Sequence, residues 1–299
     1  MALIGNPMSR PARHARLLDL LRRSAAELTI DWTTVAEPGT AQAARAVADG
    51  ADLVIAAGGD GTVRSVAMGL VGTGVPLGVI PLGTANVLAR NLGLPAGLAG
   101  QVRVALGGID RPLDVGRVAF GVGTAGWGQE DGFVVLAGVG HDAATFADTD
   151  TAVKRRFGWL SYLVRGTRRM TDAPLPMRLV IDGVETRTEA WSLLVGNCPG
   201  IPAGIQVFPG ARPDDGLLDV LQARIKHPAQ WVSVAVSGLS RRPVWGDGLV
   251  RTRAREVIVH LAEPAGVQLD GDAVREATRV RFRVEPAALL VRMPGRARP

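Results

Sequence analysis

The sequence predicts two domains in series: an α/β domain on a mostly parallel sheet, followed by a second domain that is mainly antiparallel β. Three observations carry this. Short apolar runs alternate with stretches of helical periodicity over about the first 110 residues, the rhythm of a parallel sheet covered by helices. Near residue 112 the texture changes to strand-like runs separated by turn residues. The 299 residues also exceed what one small domain needs.

In the first domain MALI reads as a strand and ARHARLLDLLRRSAAEL as a helix. LTIDWTTV is the next strand, and TAQAARAVADG a helix capped by Thr40 and closed by Gly50. DLVIAA follows as a strand, then a helix from Thr62 to about Val71, the strand VPLGVI, and a helix around ANVLARNLG. In the second domain PLDVGRVAF, GFVVLAGVG, MRLVIDG, EAWSLLVGN, LLDVLQARI, EVIVHLA and VRFRVEP read as strands. Two helical patterns interrupt them, at about 151–170 and 227–238, and GVGTAGWGQEDG is a glycine-rich loop or hairpin tip.

Composition narrows the function classes. The apolar share of 47% fills ordinary cores, and no apolar run has membrane-spanning length. MALIGNP has neither a basic leader nor a signal-type core, so a soluble, cytoplasmic chain is expected. A single cysteine, Cys198, rules out an internal disulfide framework and a cysteine zinc cluster. Net charge is +6, carried almost wholly by arginine, and such a surface suits nucleic acid, anionic headgroups or a polyphosphate substrate. The 4% aromatic share weighs against a nucleic-acid partner.

Polar, glycine-rich turns recur after the strands of the first domain: GNPMSR after the first, GGDGT after DLVIAA, and PLGTAN after VPLGVI. Ligands of open α/β sheets sit beyond the carboxyl ends of strands, where amides and helix N-termini face an anion. The turns do not fit a P-loop, since no lysine lies near them, nor a dinucleotide turn, since the pattern counted from Gly59 ends at Arg64. Gly58, Gly59, Gly61 and Thr62 let backbone approach phosphates, although tight turns favour glycine in any case. Asp60 is the unusual element. A carboxylate beside a polyphosphate is repulsive unless a divalent cation lies between, which points to Mg²⁺-nucleotide chemistry.

GGDGT, followed about 20 residues later by PLGTANVLAR, resembles the diacylglycerol kinase catalytic-domain family of lipid kinases. The likeness runs along essentially the whole chain. IGNPMSR resembles the opening N-P-x-S-G element, with Arg10 where glycine is common, and PLDVGRV, GVGHDA, FPGARPDDGLLDV and VQLDGD resemble later elements in family order. The resemblance implies an N-terminal ATP-binding α/β domain like that of phosphofructokinase and NAD kinase, and a C-terminal antiparallel β-sandwich. The corresponding spans are 1–119, with 285–299 returning to it, and 120–284. It also implies transfer of the γ-phosphoryl group of ATP to a lipid hydroxyl, with ATP and Mg²⁺ as cofactors and diacylglycerol as the default acceptor.

Site residues follow from the same resemblance. Asn6, Ser9, Thr40, Gly83, Thr84 and Asn86 join the glycine loop around the nucleotide, while Thr40 equally fits a plain helix cap. Asp60 holds catalytic Mg²⁺, directly or through water. Asp272 stands where the family base is glutamate, with Asp270 as the neighbouring acid; read alone, Asp-Gly-Asp is a hairpin turn. Arg212, Asp215 and Leu217 match a structural Mg²⁺ loop, which read alone is an acidic turn. Val87 departs from the aspartate that diacylglycerol kinases often carry after the Asn, and Asp114 remains as the acid of the D-x-G strand.

KRRFGWLSYLVRGTRRM, with Phe157, Leu160 and Val164 as an apolar stripe among Arg155, Arg156, Arg165, Arg168 and Arg169, fits either a peripheral contact with the inner membrane face or a packed helix with a solvated basic side. An NAD kinase-like enzyme and a non-catalytic nucleotide- or lipid-binding relative are the alternative functions, and a homodimer is admitted without being required.

Overall fold

A computed structural model of the chain describes residues 1–24, 27–123, 126–141, 143, 172–201, 205–225, 227, 230–231, 246 and 248–295. The chain divides into two compact units, Met1–Leu113 with Ala287–Pro299, and Asp114–Pro286.

The first unit runs β1 (Ala2–Gly5), α1 (Pro11–Ser24), β2 (Thr29–Trp32), α2 (Thr40–Ala48), β3 (Val54–Gly58), α3 (Asp60–Leu70), β4 (Leu77–Pro81), α4 (Val87–Asn91) and α5 (Leu98–Gly107). Its strands are parallel in the order β2-β1-β3-β4, and the end of the last strand of the chain joins β4 through Val291 opposite Leu77. Every residue of β3 and β4 is buried, as a parallel sheet covered on both faces requires. Leu17 and Leu21 of α1 pack with Leu98, Val102 and Ala105 of α5 over Leu3, Ile55 and Ile80.

Two details differ from the sequence reading. α3 begins at Asp60 rather than Thr62. Thr40 is not the cap of α2: Gly39 holds that position with φ 141°, and the Thr40 hydroxyl donates to the Ser65 carbonyl of α3 at 2.9 Å. α5 had no counterpart in the reading of periodicity.

The second unit contains β5 (Ile109–Val122, shared with the first), β6 (Gly126–Trp127), β7 (Asp131–Phe133), β8 (Leu136–Gly140), β9 (Leu175–Ile181), β10 (Val184–Ala190), β11 (Ser192–Gly196), β12 (Gly200–Ile201), β13 (Ile205–Gln206), β14 (Leu218–Ala223), β15 (Leu249–Ala254), β16 (Glu256–Leu269) and β17 (Asp272–Met293, whose end lies in the first). The long strand β16 is the key to its architecture. Its register against β17 shifts between His260 and Ala265, a stretch that contains Pro264. Before the shift β16 pairs with β9, which pairs with β10; after it, Val267–Leu269 pairs with β8, which continues to β11, β14 and β15.

The result is an antiparallel β-sandwich whose layers share β16. Phe133, Val139, Leu179, Leu193, Val220, Val257, Val267 and Phe282, drawn from both layers, are wholly buried in one core. The segment GFVVLAGVG, read as one strand, is two, broken at Val134–Val135. The basic pattern 154–170 lies outside the described residues, as does most of 227–238. Among the described residues no helix is long and apolar enough to cross a membrane.

Candidate functional site

In the first unit, strand order 2-1-3-4 makes successive connections leave β1 in opposite directions, so the topological switch point falls between the carboxyl ends of β1 and β3. Ligand crevices of open α/β sheets form at that point. The turns 5–10 and 58–62 flank it, and the turn after β4 lies beside the second of them. Asn6 shapes the first turn: its side-chain oxygen accepts from the Met8 amide at 2.9 Å, and its carbonyl accepts from the Ser9 amide at 3.0 Å. Arg10 ends the turn in the left-handed region, φ 42°, where glycine carries no steric cost. That is why the family's usual glycine there has a physical reason.

The two loops after β3 and β4 touch through glycines. A Cβ on Gly83 would stand 2.6 Å from the Gly59 Cα, and a Cβ on Gly58 would stand 2.6–2.8 Å from the Thr62 side chain. Close approach of backbone at Gly83, and of the Thr62 side chain at Gly58, therefore favours glycine at these positions even before a ligand is considered. The Leu82 amide donates to the Gly58 carbonyl at 2.8 Å and continues the ladder into the turns.

Asp60 is the brace between them. Its Oδ1 accepts the Val87 amide at 2.6 Å, so one carboxylate at the start of α3 caps the start of α4. Burial raises its carboxyl above the ordinary aspartate range, and the amides of Val87, Asn86 and Leu88 pull it back. Asn86 adopts φ 48°, its Nδ2 donates to the Gly83 carbonyl at 2.9 Å, and its Oδ1 is buried with no hydrogen-bond partner. Thr62 is buried and Thr84 is exposed on the same pair of loops. Val87 gives its backbone to Asp60 and its side chain to the interior. A single carboxylate at the rim fits Mg²⁺ bound chiefly by substrate phosphates; among the described residues no group of three or more metal-ligating side chains occurs.

In the second unit, Asp270 and Gly271 form the two-residue turn between β16 and β17, with Leu269 opposite Asp272. Both turn residues have positive φ, 49° and 88°, the geometry for which Asp-Gly is favoured. The hairpin reading of Asp-Gly-Asp is thus correct as to backbone, but the turn is only half-exposed. The Asp270 carboxylate accepts three amides, from Val134 at 2.9 Å, Val135 at 2.8 Å and Leu136 at 2.9 Å. This is what splits GFVVLAGVG: the amides at the break turn to a side chain. Asp272, at the first position of β17, is half-buried.

The carbonyls at the same break are also claimed. The amide side chain of Asn197 donates to the Val134 and Asp114 carbonyls at 3.2 and 2.8 Å, and the Cys198 thiol lies 3.5 Å from the Val134 carbonyl. Burial pushes the Cys198 thiol strongly up, and the charge of Asp270 adds to this. Asn197 and Cys198 were not foreseen as shaping residues; the polar GNCPG turn closing the strand SLLVG was the one signal available.

The loop 212–217 is fitted to this unit from two sides. Asp114, only 3% exposed, accepts the Gly216 amide at 2.6 Å and donates its own amide to the Pro213 carbonyl at 2.7 Å. Asp215 accepts the Leu217 amide at 3.2 Å, and Arg212 pairs with Asp214 at 3.1 Å. Arg253 places its guanidinium 3.2 Å from Asp219 and 3.8 Å from Asp215 and donates to the Gly210 carbonyl at 3.0 Å. Arg253 thus supplies positive charge beside Asp215 and Asp219, and Arg212 supplies it beside Asp214.

Comparison with known proteins agrees with this architecture. Residues 1–118 match the diacylglycerol kinase catalytic domain, and residues 134–293 match the YegS C-terminal NAD kinase β-sandwich-like domain. The chain is 29% identical to a diacylglycerol kinase of Bacillus subtilis over 86% of this chain and 83% of that one. It is 32% identical to a Pseudomonas putida protein named "Probable lipid kinase YegS-like", over 90% and 85%, and 32% identical to a diacylglycerol kinase of Mycobacterium tuberculosis, over 84% and 80%. A crystal structure of a diacylglycerol kinase from Bacillus anthracis superposes with a TM-score of 0.75 at 20% identity, covering 98% of this chain and 96% of that one. Yeast NADH kinase shares the fold at a TM-score of 0.54 and 11% identity, over 97% and 81%. From these domains in this order, the chain belongs to the diacylglycerol kinase-like family of lipid kinases.

Proposed function

We propose that the chain transfers the γ-phosphoryl group of ATP to the hydroxyl of a membrane lipid, with diacylglycerol as acceptor and phosphatidic acid as product. The observation that carries this reading is Asp60, a carboxylate at the switch-point rim among glycine turns, whose bond to the Val87 amide needs an acceptor there but not an acid. Asn6, Ser9, Thr40, Gly58, Gly59, Gly61, Thr62, Gly83, Thr84 and Asn86 are assigned to the nucleotide side, with the amides that open α3 directed to phosphate. Asp60 and the phosphates would together hold Mg²⁺, which neutralises charge on the transferring group when bound.

Asp272 is assigned as general base. Its carboxylate takes the proton of the acceptor hydroxyl while that oxygen bonds to the γ-phosphorus and the bond to the ADP oxygen breaks. Asp270 is a positioning residue: by fixing residues 134–136 it fixes the start of β17, on which Asp272 stands. An acceptor that lives in a bilayer makes the chain a peripheral enzyme at the cytoplasmic membrane face, in keeping with its net charge of +6.

The test is ATP-dependent phosphorylation of a mixed-micelle panel of diacylglycerol, phosphatidylglycerol, a sphingoid base and, separately, NAD, with Asp272→Ala alongside. Labelled phosphatidic acid that disappears in the variant is the expected result. Phosphorylation of NAD alone, or of a lipid with equal rate in the variant, overturns the reading.

A further inference from the structure

The outer face of the β-sandwich carries a row of cations set by strand register alone. Arg187 of β10 stands opposite Arg178 of β9, Arg178 opposite His260 of β16, and His260 opposite Arg279 of β17. Their neighbours Met177, Leu179 and Val259 are buried in the core, so strand alternation turns Arg178 and His260 outward, while Arg279 at the end of the row donates to the Gly126 carbonyl and stacks on Trp127. Like charges placed directly across strands are mutually destabilising, and such a row calls for an anion.

Three members of the row and one further arginine line an open cavity of about 820 Å³. Its charged and titratable lining is Arg178, Arg187, Arg224, His260 and one acid, Glu189. The arginines are only partly answered. Arg178 gives one nitrogen to Glu185 at 3.0 Å, and Arg224 is oriented by the neutral Gln222 amide at 2.6 and 3.0 Å. The Arg187 side chain is exposed and makes no hydrogen bond or ion pair among the described residues. Guanidinium groups present planar donor forks that match phosphate oxygens.

We propose that this cavity is a phosphate-binding site, taking a phosphate group that is either free in solution or part of a lipid headgroup. Its lining belongs to the second unit and includes none of the residues assigned to ATP or to the base. The groups around His260 are Arg178, Arg187, Arg224 and Arg279, opposed by Glu185 and Glu189. Burial, then Arg178 and Arg279, hold its imidazole below the ordinary histidine range. An anion among these cations reverses part of that, so His260 gains a proton on binding and the affinity rises as pH falls toward the histidine range.

The experiment uses the full chain in two arms: calorimetric titration with inorganic phosphate, and flotation with phosphatidylcholine vesicles with and without phosphatidylglycerol. Arg178→Gln/Arg187→Gln, and Arg187→Gln alone at its exposed position, are compared with Arg16→Gln/Arg22→Gln, which removes equal charge from exposed positions on α1. Unfolding midpoints confirm that each variant is folded. Binding of inorganic phosphate that weakens at least about tenfold in the cavity variants only identifies a free phosphate ligand. Flotation on phosphatidylglycerol that is lost in the cavity variants only, without phosphate binding, identifies a headgroup. Absence of both, or equal losses in the cavity and α1 variants, overturns the proposal.

Discussion

Asp60 and Asp270 show one residue type doing two kinds of work. Asp60 was legible as an anomaly, since a carboxylate between glycines at a strand end needs a reason. Its partner was not legible, because the Val87 amide is 27 residues away and backbone donors leave no mark in a sequence. Asp270 read as half of a hairpin turn, and it is one, but its three amide bonds come from a segment more than 130 residues earlier. Removing that carboxylate strands three amides. Asp270→Ala is expected to cost about 3 kcal/mol, and Asp270→Asn, which tolerates the left-handed turn and keeps an acceptor, about 1 kcal/mol. Cys198 is the only cysteine and touches the same break, so its alkylation rate under native conditions should rise in Asp270→Ala. An unchanged rate would place the anchor elsewhere.

At the scale of elements, the alternation of apolar strands and helices was readable because a parallel sheet leaves continuous buried runs, and all of β3 and β4 is buried. What periodicity did not provide was α5, and the break in GFVVLAGVG, which depends on a distant side chain rather than on a breaker residue. The glycines of the two loops have a packing origin that their motif alone hides. Gly83→Ala would drive a methyl to 2.6 Å from the Gly59 Cα. We expect a loss of about 1–3 kcal/mol and weaker binding of a non-hydrolysable ATP analogue in calorimetry. Unchanged affinity for that analogue would show that the junction of the loops does not shape the nucleotide site.

For the molecule as a whole, the order of motifs along the chain carried the family, and the change of texture near residue 112 carried the division into α/β and β parts. The exchange of β16 between layers was not visible, because a bulge near Pro264 looks in sequence like the end of a strand. Glu130 makes its own contribution to the pH dependence of stability, and its sign follows from its partners. Hydrogen bonding to Arg283, and then Arg281, holds its carboxyl below the ordinary glutamate range, against burial. A depressed carboxyl contributes stability that is present above the ordinary glutamate value and is lost as pH falls through the lowered one. Glu130→Gln should therefore unfold at a lower temperature than the parent at neutral pH, with the two curves converging in acid. Parallel curves from neutral pH to about pH 3 would show that the Glu130 ion pairs add no pH-dependent stability.

Asp60→Asn separates the chemical role proposed for Asp60 from its role in the fold. The amide keeps an acceptor for the Val87 amide and relieves the cost of burying a charge, since the raised carboxyl means that the fold prefers the neutral form. Unfolding midpoint and ATP-dependent lipid phosphorylation should be measured on the same preparation of this variant. The expected result is a midpoint at or above that of the parent with turnover reduced at least about a hundredfold. A stable Asp60→Asn protein that phosphorylates lipid at the parent rate would contradict it and leave Asp60 as a brace between two loops.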